Sequence, residues 1–364
     1  MNYRLATILA REAIAADGTT VIDLNLADPV SQFQIVYEST GASSGSADHH
    51  AAKCVTKIEL VDGSDVIFSL SGQEAQAADF YHRLIEPANQ NIYLNGMNAE
   101  MVFNMNFGRF LYDTLYAFDP RKFTNPQLKI TIDMGAGGCT SVAGFLTVLA
   151  LIFDGKEITP EGFLMHKEIK DYAMGSASHE YTDLPIDYPY RKLFVKSQTE
   201  GTGPEYLINT VKLSEDNDRK IPFNHTMFDI LRMIVGQGKA FTENILVSSG
   251  AGTIYFYCTP CYWPKITVSP WEGSSEPYVA TAWGGDGGRG TLYIETVGGN
   301  RTVAVEGYCP HGVTEIPFGL QDDPADWYDV SGLGSLRLDV LSVSGRSSSD
   351  SVQVFLQQAR KYAA

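Results

Sequence analysis

Alternation of apolar and polar residues dominates the first 155 residues and predicts a series of short β-strands. The alternating runs are residues 20–26, 32–37, 54–61, 64–70, 101–107, 128–132 and 145–153. A period of two residues is typical of strands that bury one face. Asp62-Gly63 separates two of these runs and is a preferred tight-turn dipeptide, so we expect the flanking strands to form a hairpin.

Two segments within this β-rich pattern follow helical spacing instead. Residues 73–85 place their apolar side chains on one face, and Pro87 then ends the predicted helix. Residues 226–235 carry a similar apolar face, formed by Met227, Ile230, Leu231 and Ile234. We therefore predict one embedded helix in each half of the chain.

The N-terminal residues also show helical spacing and predict an amphipathic helix over residues 1–16. Its apolar face holds Leu5, Ile8 and Leu9, while Arg4 and Arg11 lie elsewhere on the helical wheel. Such a helix either packs on its own domain or lies against a membrane or a neighbouring subunit.

The second half of the chain repeats the order of the first. Strand patterns at residues 163–169, 193–197, 206–213 and 220–223 precede the second helix, and closing strands follow it. The helix residues Phe80 and Phe228 are 148 positions apart, whereas Leu128 and Leu336 of the closing strands are 208 apart. The difference of 60 residues predicts an insertion in the second half.

These patterns predict an all-β fold of two tandem eight-stranded jelly rolls, each with an embedded helix, in addition to the N-terminal helix. We expect the first jelly roll at residues 17–158 and the second at 159–364, with a β-rich, tower-like insertion near 248–312. The insertion holds three of the four tryptophans, which we expect at the tower surface or in subunit contacts. They are Trp263, Trp271 and Trp283.

Composition narrows the classes of function. The 364 residues are 44% hydrophobic, which is enough for a sizeable core, and no apolar run is long enough for a membrane-spanning helix. The 27 basic and 43 acidic residues give a net charge of −16, which disfavours direct nucleic-acid binding. The densest basic spots are the pairs Arg121-Lys122 and Arg191-Lys192, and we expect both to be solvated.

Candidate chemistry is sparse. The sequence contains neither a Gly-x-Ser-x-Gly elbow nor a His-Glu-x-x-His helix, so we predict a protein that is not an enzyme and needs no cofactor. One set of residues has metal-binding chemistry, namely Cys258, Cys261, Cys309 and His311. Zinc binding, a labile disulfide and buried thiols are all compatible with this set, and its long internal spacing favours buried thiols.

The order of elements resembles that of the double jelly-roll major capsid proteins of tailless icosahedral DNA viruses and phages. The segment 110–132, which contains Asn125-Pro126-Gln127-Leu128, resembles the closing strands of the first barrel in that family. The resemblance implies homotrimers with a pseudo-hexagonal outline that assemble into the capsid shell of a virion. It also implies other capsid proteins as partners, such as penton or minor proteins, and synthesis in the host cytoplasm.

In many of these viruses a membrane lies beneath the shell, and the resemblance places the N-terminal segment on the inner side. Leu5, Ile8, Leu9, Arg4 and Arg11 would then face a neighbouring capsomer or lipid headgroups. Two other functions stay open at this point. The chain is also compatible with a carbohydrate-binding or carbohydrate-cleaving β-sandwich, whose tryptophans stack on sugars, and with a viral receptor-binding spike.

Overall fold

The structure is a computed structural model that describes residues 1–41, 49–94, 97–137, 141–249, 251–270, 280–295 and 299–362. Strands dominate these residues, which include two α-helices. Neither of these helices is long and apolar enough to cross a bilayer.

The first half forms two facing four-stranded sheets. Its elements are β1 (Tyr3–Ile14), β2 (Gly18–Asp23), β3 (Val30–Gly41), β4 (Val55–Asp62), β5 (Asp65–Leu70), α1 (Gly72–Arg83), β6 (Asn91–Tyr93), β7 (Asn98–Asn106), β8 (Pro126–Ile132) and β9 (Ser141–Phe153). The strand orders are β1-β9-β3-β7 and β2-β8-β4-β5. The chain crosses repeatedly between the two sheets, as in a jelly roll.

The second half repeats this arrangement with additional strands. Its elements are β10 (Gly162–Ala173), β11 (His179–Asp183), β12 (Tyr190–Ser197), β13 (Ile208–Glu215), β14 (Lys220–Thr226), α2 (Met227–Gln237), β15 (Phe241–Ser249), β16 (Gly252–Tyr257), β17 (Pro260–Pro270), β18 (Ala280–Gly284), β19 (Arg289–Ile294), β20 (Gly299–Pro310), β21 (Val313–Pro317), β22 (Leu336–Ser342) and β23 (Ser351–Lys361). The strand orders β10-β23-β12-β21 and β11-β22-β13-β14 match those of the first half position by position.

The hairpin predicted at Asp62-Gly63 is confirmed. Strands β4 and β5 pair in antiparallel fashion, with Asp62 opposite Asp65. Gly63 adopts a φ of +60°, a conformation that costs glycine little because it has no Cβ.

The N-terminal helix prediction is wrong, because residues Tyr3–Ile14 form strand β1. This strand pairs with β9, from Tyr3 opposite Phe153 to Ile14 opposite Gly144. Its register shifts between Thr7 and Leu9 and again before Glu12, so its partly buried residues do not alternate regularly and imitate a helical spacing. The first jelly roll therefore begins near Tyr3 and not at residue 17, since β1 is one of its eight strands.

The two halves meet through one continuous sheet. Strand β5 pairs in parallel with β10, with Phe68 opposite His166, and this joins one sheet of each half into an eight-stranded sheet. An ion pair between Lys57 and Glu168 (2.9 Å) lies across the same boundary.

The insertion comprises β15 to β20, and it starts at Phe241, earlier than the predicted residue 248. The prediction treated Phe80 and Phe228 as equivalent, but Phe80 lies late in α1 and Phe228 is the second residue of α2. Strands β15, β17 and β20 form a four-stranded sheet with β6 of the first half, and β16, β18 and β19 form a separate three-stranded sheet.

The insertion packs against the first half as well as the second. Phe241, Val303 and Leu292 belong to the same buried core as Phe80 of α1. Phe80 and Phe241 make direct ring contact, with their centroids 4.6 Å apart. The part of the insertion nearest to the jelly rolls therefore belongs to the hydrophobic core.

Two matched alanine substitutions test the strand at the N-terminus. Ala6 faces the core and Ala10 is exposed because the register of β1 shifts between them, whereas a helix would place both residues on one face. We expect Ala6→Asp to lower the free energy of unfolding by about 3 kcal/mol, because it buries an unpaired charge. Ala10→Asp should change the free energy by less than about 0.5 kcal/mol. Denaturant unfolding measures both, and equal effects would contradict the assignment of β1.

Candidate functional site

The boundary between the two halves and the base of the insertion contains a dense set of buried polar side chains. It brings together residues from α1, from the loop before β4, and from strands β12, β15 and β20. The predicted cysteine and histidine set lies in this region, whereas the predicted arginine and tryptophan sites lie elsewhere.

Helix α1 occupies the centre of this boundary. Ser71 and Glu74 form a reciprocal capping box at its start, and each of its first ten residues is buried. From the second half, Phe241 packs on Phe80, and the carbonyl oxygen of Val313 accepts a hydrogen bond from the Tyr81 hydroxyl (2.7 Å).

Basic residues of the second half satisfy the C-terminal end of α1. Lys192 Nζ donates to the Tyr81 carbonyl oxygen (2.6 Å) and to Glu315 Oε2 (2.6 Å). Arg191 Nη1 donates to His82 Nδ1 (2.8 Å) and to Gln357 Oε1 (3.0 Å). The Lys192 bond satisfies one of the last carbonyl groups of the helix, which have no partners within it, and the Arg191 bond holds the His82 side chain in place.

The prediction that Arg191-Lys192 is solvated is therefore wrong. The two residues are only 2% and 3% exposed, and burial lowers the pKa of Arg191 to about 10. Burial also lowers the pKa of the Lys192 ammonium. Sequence alone gave no signal for this, because their partners lie more than 100 positions away along the chain.

A buried Glu-His-Thr group connects the first half to the insertion. Thr259 donates its backbone N–H and its hydroxyl to the two carboxylate oxygens of Glu243 (2.6 and 2.7 Å). His50 Nε2 lies 3.1 Å from the Thr259 hydroxyl, and its Nδ1 accepts from the Ala52 N–H (3.1 Å). Burial opposes ionisation of Glu243, but hydrogen bonds from His50 and Thr259 outweigh it and lower its pKa.

This group resembles a hydrolase triad only in composition. His50, Thr259 and Glu243 are 2%, 0% and 8% exposed, so a substrate has no access to the hydroxyl. We interpret the group as a structural link between the loop before β4 and the insertion.

The candidate metal residues lie close to this link, all four completely buried. Cys258 Sγ donates to the Pro260 carbonyl oxygen (3.3 Å), and Cys261 Sγ donates to that of Thr259 (3.5 Å). Within the described residues, no group of three His, Cys, Asp or Glu side chains is arranged to hold a metal ion.

These residues have the surroundings of buried thiols. Burial raises the pKa of Cys261 to about 12 and raises those of Cys258 and Cys309, so the three side chains are protonated in the metal-free chain. His311 has hydrogen-bond partners at both ring nitrogens, namely Gln76 Oε1 (2.8 Å) and Gln73 Nε2 (3.4 Å).

The predicted interaction residues at the N-terminus are spread over both faces of β1. Leu5 is 58% exposed, whereas Ile8 and Leu9 pack partly against the core. Arg4 pairs with Asp154 (3.1 Å). Arg11 pairs with Glu38 (2.7 Å), and its guanidinium lies 3.4 Å from the centroid of the Phe145 ring. Both arginines therefore already have partners within the first half.

Two of the three insertion tryptophans lie within the described residues. Trp263 in β17 and Trp283 in β18 are 61% and 50% exposed and belong to different sheets. Trp271 lies outside the described residues.

Helix α2 differs from α1 in its surroundings. Phe228, Arg232 and Met233 on α2 are exposed, whereas the corresponding helix α1 is covered by the insertion and by β21. An exposed face that combines Phe228 and Met233 is a candidate contact surface.

No protein-family model and no curated protein sequence matches the chain. Solved structures of viral proteins do match its fold over nearly the whole length. The STIV major capsid protein superposes with a TM-score of 0.62 at 10% identity, over 99% of this chain and 97% of that one.

Two further structures give the same result. The major capsid protein P2 from bacteriophage PM2 has a TM-score of 0.56 at 11% identity, over 99% of this chain and 98% of that one. VP54 of PBCV-1 has a TM-score of 0.57 at 9% identity, over 98% of this chain and 94% of that one. This chain therefore has the double jelly-roll fold of these proteins, as its sequence pattern predicts.

We expect acid to weaken the boundary between the halves. Burial holds the pKa of His166 at about 3 and that of His311 well below its usual value, so both rings are neutral in the folded chain. The unfolded chain binds these protons below about pH 6.5. The neutral rings therefore contribute their full stability above that pH. Below it, the free energy of unfolding falls by about 1.4 kcal/mol per pH unit for each ring.

Denaturant unfolding at about pH 7.5 and 5.5 measures this loss. His166→Gln and His311→Gln should each lose less stability on acidification than the wild-type chain. His179→Gln is the control, because the His179 side chain is 48% exposed. A loss that is the same in all four proteins would show that the buried rings do not cause it.

The buried thiols can be tested directly. In a Cys139→Ser variant, which lacks the one cysteine outside the described residues, we expect no reaction with Ellman's reagent until the protein is denatured. Denaturation in the presence of a colorimetric chelator should release no zinc. Stoichiometric zinc release would instead support the metal hypothesis for Cys258, Cys261, Cys309 and His311.

Proposed function

We propose that the chain is the major capsid protein of an icosahedral virus and acts as a structural subunit of the virion shell. The observation that carries this proposal is the double jelly-roll fold shared with viral major capsid proteins over 97% or more of two of them. The buried Glu-His-Thr group has no access for a substrate, so nothing at the best candidate triad favours a catalytic role.

The way the two halves join supports a trimeric capsomer. Within the chain, β5 of the first half pairs in parallel with β10 of the second. The corresponding strands of the opposite halves are β14 and β1, and each forms the edge of its sheet. We call the parallel β5–β10 pairing the joint. We infer that β14 of one copy pairs with β1 of the next, so that the joint within the chain recurs between chains.

A contact that uses two different surfaces closes into a ring when its rotation permits. Three chains with two jelly rolls each would supply six similar units, which corresponds to a pseudo-hexagonal outline. This arrangement would cover the exposed side of α2 that carries Phe228 and Met233, as the second half covers α1. It also gives the exposed Leu5 of β1 a place at a subunit contact.

The wider assembly follows from the same proposal. Trimers would pack with one another and with penton or minor proteins in the shell, after synthesis in the host cytoplasm. A net charge of −16 would repel a genome in direct contact, so an internal membrane between shell and genome fits this chain. Arg4 and Arg11 are paired with acidic residues, which makes a subunit contact a better role for β1 than lipid binding.

The oligomeric state tests the proposal. Light scattering coupled to size-exclusion chromatography should give about three times the chain mass of 39.9 kDa. Phe228→Asp should give the monomer mass, because it places a charge on the exposed side of α2 that the inferred joint would bury. Tyr181→Asp is the matched control, since Tyr181 is 55% exposed on β11, away from both joint strands. A wild-type chain that stays monomeric, or a trimeric Phe228→Asp variant, would overturn the inferred joint.

A further inference from the structure

The three-stranded sheet of the insertion exposes a face of alternating aromatic and threonine residues. In one row across the sheet, Thr253, Tyr293 and Thr281 lie opposite one another, and in the next row Tyr255, Thr291 and Trp283 do. Residues opposite one another in antiparallel strands point to the same side, so all six share one face, the aromatic face.

The other side of this sheet is buried, which fixes the orientation of the aromatic face. Phe256, Leu292 and Ile294 point into the core and are at most 1% exposed. Tyr255, Tyr293 and Trp283 are 47%, 41% and 50% exposed. Two strand spacings separate Tyr255 from Trp283, which places these two rings about 10 Å apart.

The charge on the aromatic face restricts what it can bind. The six residues are uncharged at neutral pH. Among the described residues, the charges closest to them along these strands are Arg289, the first residue of β19, and Glu295, which follows its last residue. Arg289 stacks 4.8 Å from the centroid of the Tyr255 ring. A single-stranded nucleic acid also stacks on aromatic rings, but it needs a basic groove, and this chain carries a net charge of −16. The face therefore suits an uncharged ligand.

Its area argues against a protein as the principal occupant. Three strands at a spacing of about 4.8 Å and two rows of side chains span roughly 200 Å². A stable protein interface buries about 800 Å² on each partner. A small ligand, or a short segment of a polymer, matches the aromatic face better.

We propose that the aromatic face binds a neutral oligosaccharide. The C–H groups of a pyranose ring form an apolar surface that stacks on tyrosine and tryptophan rings. The hydroxyl groups at the ring edge would hydrogen-bond to the threonine hydroxyls, which both donate and accept. On a virion such a site would hold the particle to a glycan surface, but binding by the separate chain does not depend on assembly.

Calorimetric titration of the full chain with cellohexaose, laminarihexaose, maltohexaose and chitohexaose tests the proposal. We expect at least one of these sugars to bind with a dissociation constant of about 1 mM or below. Trp283→Thr and Tyr293→Thr, which place a residue common in strands on the same face, should each weaken binding about tenfold or more. Tyr181→Thr is the matched control and should bind as the wild-type chain does.

Several outcomes would overturn the proposal. They are the absence of binding to all four sugars, binding that both variants retain, and equal weakening by Tyr181→Thr. Light scattering on the same samples separates a further outcome, because a change of oligomeric state in Trp283→Thr would assign the aromatic face to a contact between copies. If the wild-type chain forms trimers but binds no sugar, the proposed glycan site is wrong and the capsid proposal still stands.

Discussion

The parallel pairing of β5 with β10 is the interaction on which the rest of the structure depends. A sheet edge carries unpaired N–H and C=O groups, and a strand in a partly buried position must find partners for them. Here each half supplies the partner for the other, so two four-stranded sheets become one of eight strands. The joint in turn places α1 against the second half and brings the insertion onto the first.

The boundary formed in this way contains charges that would be costly anywhere else in the core. Lys192 pairs with Glu315 and also donates to the last turn of α1. A single ammonium therefore neutralises a carboxylate and satisfies a carbonyl group at the end of the helix. Removing one partner from such a set leaves a buried charge without compensation, which costs more than the pair contributes. This network therefore restricts how the two halves can fit together.

The difference between the two helices follows from the same joint. Both helices lie after the fifth strand of their jelly roll, yet α1 is buried and α2 presents Phe228 and Met233 to solvent. Nothing in the local sequence requires this, since both segments have an apolar face. The asymmetry arises because a chain with two halves contains one joint of this kind. Within the described residues, the free edges of β14 and β1 and the exposed side of α2 are therefore not covered as β5, β10 and α1 are.

Local spacing was enough to predict much of the fold. A period of two residues identified most of the strands, Asp62-Gly63 identified a hairpin, and helical spacing located both embedded helices, since each of these depends on neighbours in sequence. The repeated order of elements gave the double jelly roll and an insertion of roughly the right length. These features are determined by the sequence alone, because backbone geometry sets the periods.

Tertiary structure decided the remainder. The register shifts of β1 hid its strand period, and only pairing with β9 fixes it as a strand. Three further features depend on partners far away in sequence. They are the burial of Arg191 and Lys192, the protonated state of the cysteines, and the alignment of Tyr255, Tyr293 and Trp283. Spacing along the chain encodes which face of an element is apolar, but it does not encode which distant element will cover that face.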